Sequence, residues 1–217
     1  KDKDIPIETV FIGPSVVRRE IFETMKENKK LLCLKKGEKI NEWINNDILG
    51  ENRLLPMGTS CAHIAFAFAK HIGANPIVFM GQDLAYTKEG VTHSKNVEVI
   101  NKVDTSNNDD IYYVKGINGD RLPTSNVFKN FLTWYELEIA KDNSSIEFID
   151  ATEGGAYIKG TKLMTLKDTI EKYCNKLVIP LFEKVPQVIY DESKYIKAIV
   201  EIEKIYKVFD EINKESE

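Results

Sequence analysis

The sequence predicts an α/β domain: a mainly parallel sheet flanked by helices, with a β-hairpin insertion and a helical carboxyl-terminal tail. Three observations predict it. Short, mostly apolar runs at 9–12, 31–34, 76–80 and 146–149 are separated by stretches of helical periodicity, the pattern of buried parallel strands joined by right-handed crossovers. Asn118-Gly119 follows the β-prone run Ile111-Tyr112-Tyr113-Val114-Lys115, and this pair tolerates the positive φ angles of a tight hairpin turn. From Asp191 onward, Tyr195, Ile199, Ile202, Tyr206 and Phe209 recur in alternating steps of four and three, the spacing of one amphipathic helix of about six turns.

The elements follow in order. Thr9-Val10-Phe11-Ile12 reads as a short buried strand, and Gly13-Pro14-Ser15 turns into a helix with Val17, Ile21 and Met25 on one face. Leu31-Leu32-Cys33-Leu34 is a second strand and Glu38 to Leu49 a second helix. Gly58-Thr59-Ser60 opens a helix running to His71, with Gly73 in the position of a glycine stop. Pro76-Ile77-Val78-Phe79-Met80 is a third strand bounded by proline and glycine. Residues 101–110 are polar and read as a loop, which the hairpin follows. Ser125 caps a helix from Asn126 to about Lys141, carrying Phe128, Phe131, Leu132, Tyr135 and Ile139 at helical spacing. Ile146-Glu147-Phe148-Ile149 is a further strand that runs directly into Asp150-Ala151-Thr152-Glu153-Gly154-Gly155. The tail helix either packs back on the domain or meets a partner helix.

Composition narrows the function classes. The chain has 217 residues, 42% apolar and 29% charged, enough for one large domain or a domain plus an appendage. A formal net charge of −4 argues against nucleic-acid binding through a bulk positive field, though a local basic pocket stays open. No apolar run approaches the roughly 18 residues of a membrane span. The chain begins at Lys1 with no charged-then-apolar leader, so the start does not read as a signal peptide, and the missing initiator Met suggests a fragment of a longer protein. Cys33, Cys61 and Cys174 are odd in number and widely spaced, as expected of reduced thiols in a cytoplasmic protein and not of a disulfide framework or zinc site.

Four clusters carry candidate chemistry. Gly58, Thr59 and Ser60 at a helix start place free N–H groups, hydroxyls and the positive dipole end together, an anion site; capping of the helix by Thr59 or Ser60 is the alternative. Gly81-Gln82-Asp83 follows a strand, where open α/β sheets place their ligands; Asp83 capping its own loop competes with that reading. His93, in Tyr86-Thr87-Lys88-Glu89-Gly90-Val91-Thr92-His93, is the candidate phosphate contact or acid/base, whereas His63 and His71 lie within a helix as packing or surface residues. Thr152, Glu153, Gly154 and Gly155 follow a strand directly, and paired glycines let backbone approach a ligand.

Taken together these segments resemble the motility accessory factor family, the flagellin glycosyltransferases of the domain-of-unknown-function 115 group. The resemblance rests on Gly58-Thr59-Ser60-Cys61-Ala62-His63, the run from Asn75 to Tyr86 containing Gly81-Gln82-Asp83-Leu84-Ala85-Tyr86, Gly90-Val91-Thr92-His93, and the run from Ala151 to Thr161. It covers about residues 7–180. It implies a Rossmann-like domain similar to bacterial sialyltransferases, of which residues 1–180 would be the carboxyl-terminal part and 181–217 a helical tail. It further implies transfer of a nonulosonic (sialic-acid-like) sugar from a cytidine monophosphate donor to Ser or Thr of flagellin, with no metal or cofactor required and no nucleic-acid or membrane partner. By the same resemblance Thr59 and Ser60 hold the donor phosphate, with Cys61 in place of the family's glycine. Gly58, Gln82, Thr152, Gly154 and Gly155 complete the donor site, Tyr86 supports the departing phosphate, and His93, Glu153 and Asp83 are the catalytic candidates.

Gly13-Pro14-Ser15-Val16 looks like the family's nucleotide-binding turn, but stands too near Gly58 for a full domain to intervene. It is therefore expected to be a later strand-to-helix turn, with the other edge of the donor site upstream. Two other readings stand beside the first. The same broad group includes archaeal pterin pyrophosphokinases, which need Mg²⁺ placed here by Asp83 and Glu153. A non-catalytic flagellin-binding module would use the amphipathic tail.

Overall fold

A computed structural model describes residues 5–25, 27–50, 54–87, 90, 103, 110–175, 181–185 and 191–215. The chain divides into two compact units, Lys1–Met57 with Ile179–Glu217, and Gly58–Val178.

In the first unit, β1 (Phe11–Pro14), β2 (Lys30–Lys35) and β3 (Leu54–Leu55) form a parallel sheet in the order β1-β2-β3. Helix α1 (Arg19–Thr24) is shorter than its periodicity predicts and buries none of its own residues; Ile21 is exposed. Apolar spacing alone cannot say whether a neighbouring element is there to cover it. Helix α2 (Lys39–Trp43) continues as a π-helical segment, Ile44–Leu49, ended by Gly50 at φ 63°. The Gly13–Ser15 turn leaves β1, and Ser15 donates to buried Asn41 at 2.7 Å. Asn28 donates from one side-chain amide to the carbonyls of Pro6, Ile7 and Thr9. Lys29 reaches the carbonyls of Phe182 and Val185, at and just beyond α6 (Leu181–Lys184).

The second unit begins with α3 (Cys61–His71) and β4 (Ile77–Phe79), followed by the antiparallel hairpin β5 (Ile111–Lys115) and β6 (Arg121–Ser125). After α4 (Asn126–Ala140) come β7 (Phe148–Asp150), β8 (Lys162–Leu163) and α5 (Leu166–Tyr173). The sheet is parallel in the order β4-β7-β8, with Ile77 opposite Phe148 and Phe79 opposite Asp150. The predicted caps are present: Ser125 Oγ accepts from the Phe128 N–H. At the other end of α3, Gly73 sits at φ 71°, with its N–H on Lys70 and that of Ala74 on Ala69, a Schellman ending.

Helices α3 and α4 bury one face of this sheet. Phe66, Phe79, Phe148 and Tyr135 meet at ring separations of 5.0 to 5.7 Å, with Leu132, Ile139 and Ile158 around them. Each such side chain contributes about 1.5–3 kcal/mol by leaving water. Central β7 is buried along its length, whereas edge strand β4 alternates, with Val78 exposed between Ile77 and Phe79. The expectation of fully buried strands therefore does not extend to β4.

Helix α7 (Glu192–Glu215) belongs to the first unit, where it lies against the π-helical segment. Its predicted apolar stripe stays exposed. No helix among the described residues is long and apolar enough to cross a membrane.

Candidate functional site

At the carboxyl ends of β4 and β7 two loops, 81–86 and 151–157, are fastened together. The Gln82 N–H donates to Thr152 Oγ1 at 3.3 Å, and the Ala156 N–H to the Asp83 carbonyl at 2.7 Å. Gly155, at φ 72°, is needed for this approach: a Cβ there would stand 2.3 Å from the Asp83 carbonyl oxygen and 2.5 Å from its Cα. Further anchors come from surrounding elements. Thr124 donates to the Leu84 carbonyl at 2.8 Å, the Tyr86 N–H to Pro123, and Tyr135 Oη to Gln82 Oε1 at 3.2 Å. The hairpin holds the second loop through Ile117 N–H to Gly155 and Tyr157 N–H to Lys115.

These loops contain the non-glycine residues with positive φ found among the described residues, Leu84 at 50° and Glu153 at 62°. Left-handed backbone costs an L-residue about 1–2 kcal/mol. For buried Leu84 the anchors above offset that cost, but Glu153 is exposed. Strain of this kind clusters where a side chain must be presented in a set direction.

Asp150, which its sequence context did not single out, ends β7 at 2% exposure. Its Oδ1 accepts from the Thr152 N–H at 3.0 Å, while Oδ2 has no hydrogen-bond partner among the described residues. Burial holds this carboxyl above the usual carboxylate range, against the Thr152 hydrogen bonds, and the charge of Asp83 adds to the rise. A carboxylate at the carboxyl end of an apolar strand was the signal that could have found it. The hydroxyl of Tyr135 had no such signal, because its ring follows the core periodicity of α4.

Gly58, Thr59 and Ser60 have a local explanation. Ser60 caps α3: its Oγ accepts from the Ala62 N–H at 3.2 Å, and its own N–H points to His63 Nδ1 at 3.4 Å. A Cβ on Gly58 would lie 2.0 Å from His63 Nδ1. His63 itself is 1% exposed, stacked on Trp134 at 4.2 Å with Phe131 and Tyr135 edge-on. Burial, against a weaker contribution from the Phe131 backbone, pushes its pKa down to about 4. The ring is neutral at pH 7, and the Ser60 contact assigns the proton to Nε2. Thr59 is exposed.

The structure thus brings together Gln82, Asp83, Thr152, Glu153, Gly154 and Gly155. Ala62, in the first turn of α3, and Gln82 line one groove of about 360 Å³, with Tyr135 and otherwise apolar walls. Tyr86 is buried with its ring 5.6 Å from that of Phe128. His93 lies outside the described residues. Among those residues, no three His, Cys, Asp or Glu side chains are grouped to hold a metal ion.

Comparison with known proteins finds one family. Residues 1–89 match the model described as 6-hydroxymethylpterin diphosphokinase MptE-like. None of the curated proteins and none of the solved structures compared matches the chain. The matched stretch includes Gly58–Ser60 and the 81–86 loop and stops before Asp150. What these comparisons identify is therefore an MptE-like amino-terminal stretch of 89 residues, similar in sequence to that family.

Proposed function

We propose that this chain is part of a transferase of the motility accessory factor type, which moves a nonulosonic acid from a cytidine monophosphate donor to a Ser or Thr hydroxyl of flagellin. The observation that carries the reading is the fastened pair of loops at the carboxyl edge of β4 and β7, presenting exposed Asp83 and Glu153 from over-anchored backbone. Ligands of open α/β sheets bind at this edge.

In this reading Thr59, exposed just before the Ser60 cap of α3, and Gln82 contact the donor phosphate. Tyr86 supports the departing group. Asp83 or Glu153 takes the acceptor hydroxyl proton as the new carbon–oxygen bond forms and the bond to cytidine monophosphate breaks. Asp150 is a positioning residue that holds Thr152. The test is donor hydrolysis and transfer by the protein. Asp83→Asn and Glu153→Gln are expected to separate, with the base variant losing about 10²–10⁴ in kcat. Full turnover in both would sink the assignment.

A second reading is favoured by the description of the matched family: diphosphate transfer to a hydroxymethylpterin, a reaction class expected to use Mg²⁺. Asp83 and Glu153 are oxygen ligands of the type Mg²⁺ takes, one or two carboxylates with the remainder from phosphates and water. Magnesium would neutralise the transferred phosphates. Magnesium-dependent ATP consumption with the pterin, without any response to the cytidine donor, would select this reading over the first.

A further inference from the structure

We infer that the Tyr135 hydroxyl is a positioning group for Gln82: by engaging Oε1 it turns the Nε2 hydrogens toward the groove, as donors to a phosphate oxygen of the ligand. Placing a phosphate there rests on the function proposed above; the direction of the amide does not.

Tyr135 is 1% exposed and packs edge-on against Phe66, Phe79 and His63. A phenylalanine would pack in the same way, so the hydroxyl is a buried polar group that the core does not require. Its proton needs an acceptor, and the one it meets among the described residues is Gln82 Oε1 at 3.2 Å. Burial, with the charge of Cys61 adding to it, raises the Tyr135 pKa well above the ordinary tyrosine range. The hydroxyl therefore keeps its proton at neutral pH and acts as a donor.

A side-chain amide has an accepting and a donating end. With Oε1 engaged by Tyr135, Nε2 lies on the other side of the planar group, and it meets no hydrogen-bond partner among the described residues. The main chain of Gln82 is held too, its N–H donating to Thr152 Oγ1. Fixed at both ends, half-buried Gln82 lines a groove whose walls are otherwise mostly Ala62, Ala65, Ala69, Pro76 and similar apolar residues. In such surroundings an oriented donor strengthens binding to an acceptor and offers nothing to another donor. An anionic phosphate oxygen is the acceptor that gains most from it.

Gln82→Glu is the isosteric test, because the carboxylate still accepts from Tyr135 but presents an oxygen where Nε2 stood. Calorimetric titration of the full chain with CMP and with ATP separates the two sources of phosphate, the sugar donor and the diphosphate donor. The nucleotide that binds is expected to lose about ten- to a hundredfold in affinity in Gln82→Glu, where repulsion replaces a charge-assisted hydrogen bond. Tyr135→Phe is expected to cost about three- to tenfold, and nothing further in a Gln82→Ala background, a coupling that a merely structural hydroxyl would not show. Unchanged affinity in Gln82→Glu, or an equal loss from Tyr135→Phe with and without Gln82, overturns the positioning role. Binding of neither nucleotide by the wild-type chain overturns the phosphate, and the proposed function with it. The amide direction is read separately, by NMR without ligand. The Tyr135 hydroxyl proton should exchange slowly with water and the Gln82 side-chain amide hydrogens quickly; the reverse order overturns it.

Discussion

The Gly58–Ser60 turn and the 152–155 loop present the same kinds of residue, glycine beside hydroxyls at the end of a strand or the start of a helix, and they fold for different reasons. In the first, the glycine and the serine are explained from within: Ser60 caps α3, and Gly58 makes room for the His63 ring, whose buried Nε2 has no hydrogen-bond partner among the described residues. In the second, Gly155 makes room for backbone of another loop, Glu153 is held left-handed while exposed, and Asp150 keeps an unpaired buried oxygen. Folding requirements account for Gly58 and Ser60 and leave the second motif with a larger remainder. That remainder makes the 152–155 loop the stronger candidate for a site.

The sharpest way to break this comparison is Gly155→Ala. The new Cβ would meet backbone atoms at 2.3 to 2.7 Å and the residue would stay at positive φ, so nothing flexible can yield. A loss of about 3–4 kcal/mol in denaturant-monitored stability is expected from the summed clash and left-handed cost. A loss below about 1 kcal/mol, the scale of an ordinary substitution, would show that the loops are not fastened in this way.

Acid titration separates the two regions by sign. His63 has a folded pKa near 4 against about 6.5 unfolded, so the unfolded chain binds the proton first. Its stability is full above pH 6.5 and falls as pH drops to 4, by about 3 kcal/mol in all. Asp150, raised by burial, works the other way, favouring the folded state as pH falls through its folded pKa. Stability measured from pH 7 to 4 should therefore lose its downward slope in His63→Leu and steepen in Asp150→Asn. Equal slopes in all three proteins would refute the burial assigned to both groups.

The smallest effect is Gly58→Ala, where the obstacle is a side chain. About 2 kcal/mol is expected, because the aromatic cage limits how far His63 can move. In the His63→Ala background most of that cost should vanish, giving strong non-additivity in a double-mutant cycle. Additive costs would mean that Gly58 is required for some other reason.

Much of the fold was legible because it is written locally. The hairpin is set by Asn118-Gly119, the start of α4 by Ser125, and the end of α3 by Gly73, each a short-range signal found where it was expected. The extent of α1, the π-helical course of 44–49 and the two-residue strands β3 and β8 were not, since they depend on what lies alongside. The site follows the same division. Gly81-Gln82-Asp83 and Thr152 to Gly155 could be picked out as strand-end motifs, and their adjacency follows from β4 pairing with β7. That His63 would be caged by residues some seventy positions away, or that Asp150 would keep an unpaired oxygen, is a property of tertiary packing that periodicity does not encode.

The close contact of Gly155 with Asp83 also constrains motion. With their backbones touching and bonded, the two loops cannot breathe separately: displacing Gln82 drags Thr152, and through it the hold on Asp150. A molecule that displaces one loop is therefore expected to shift the other with it.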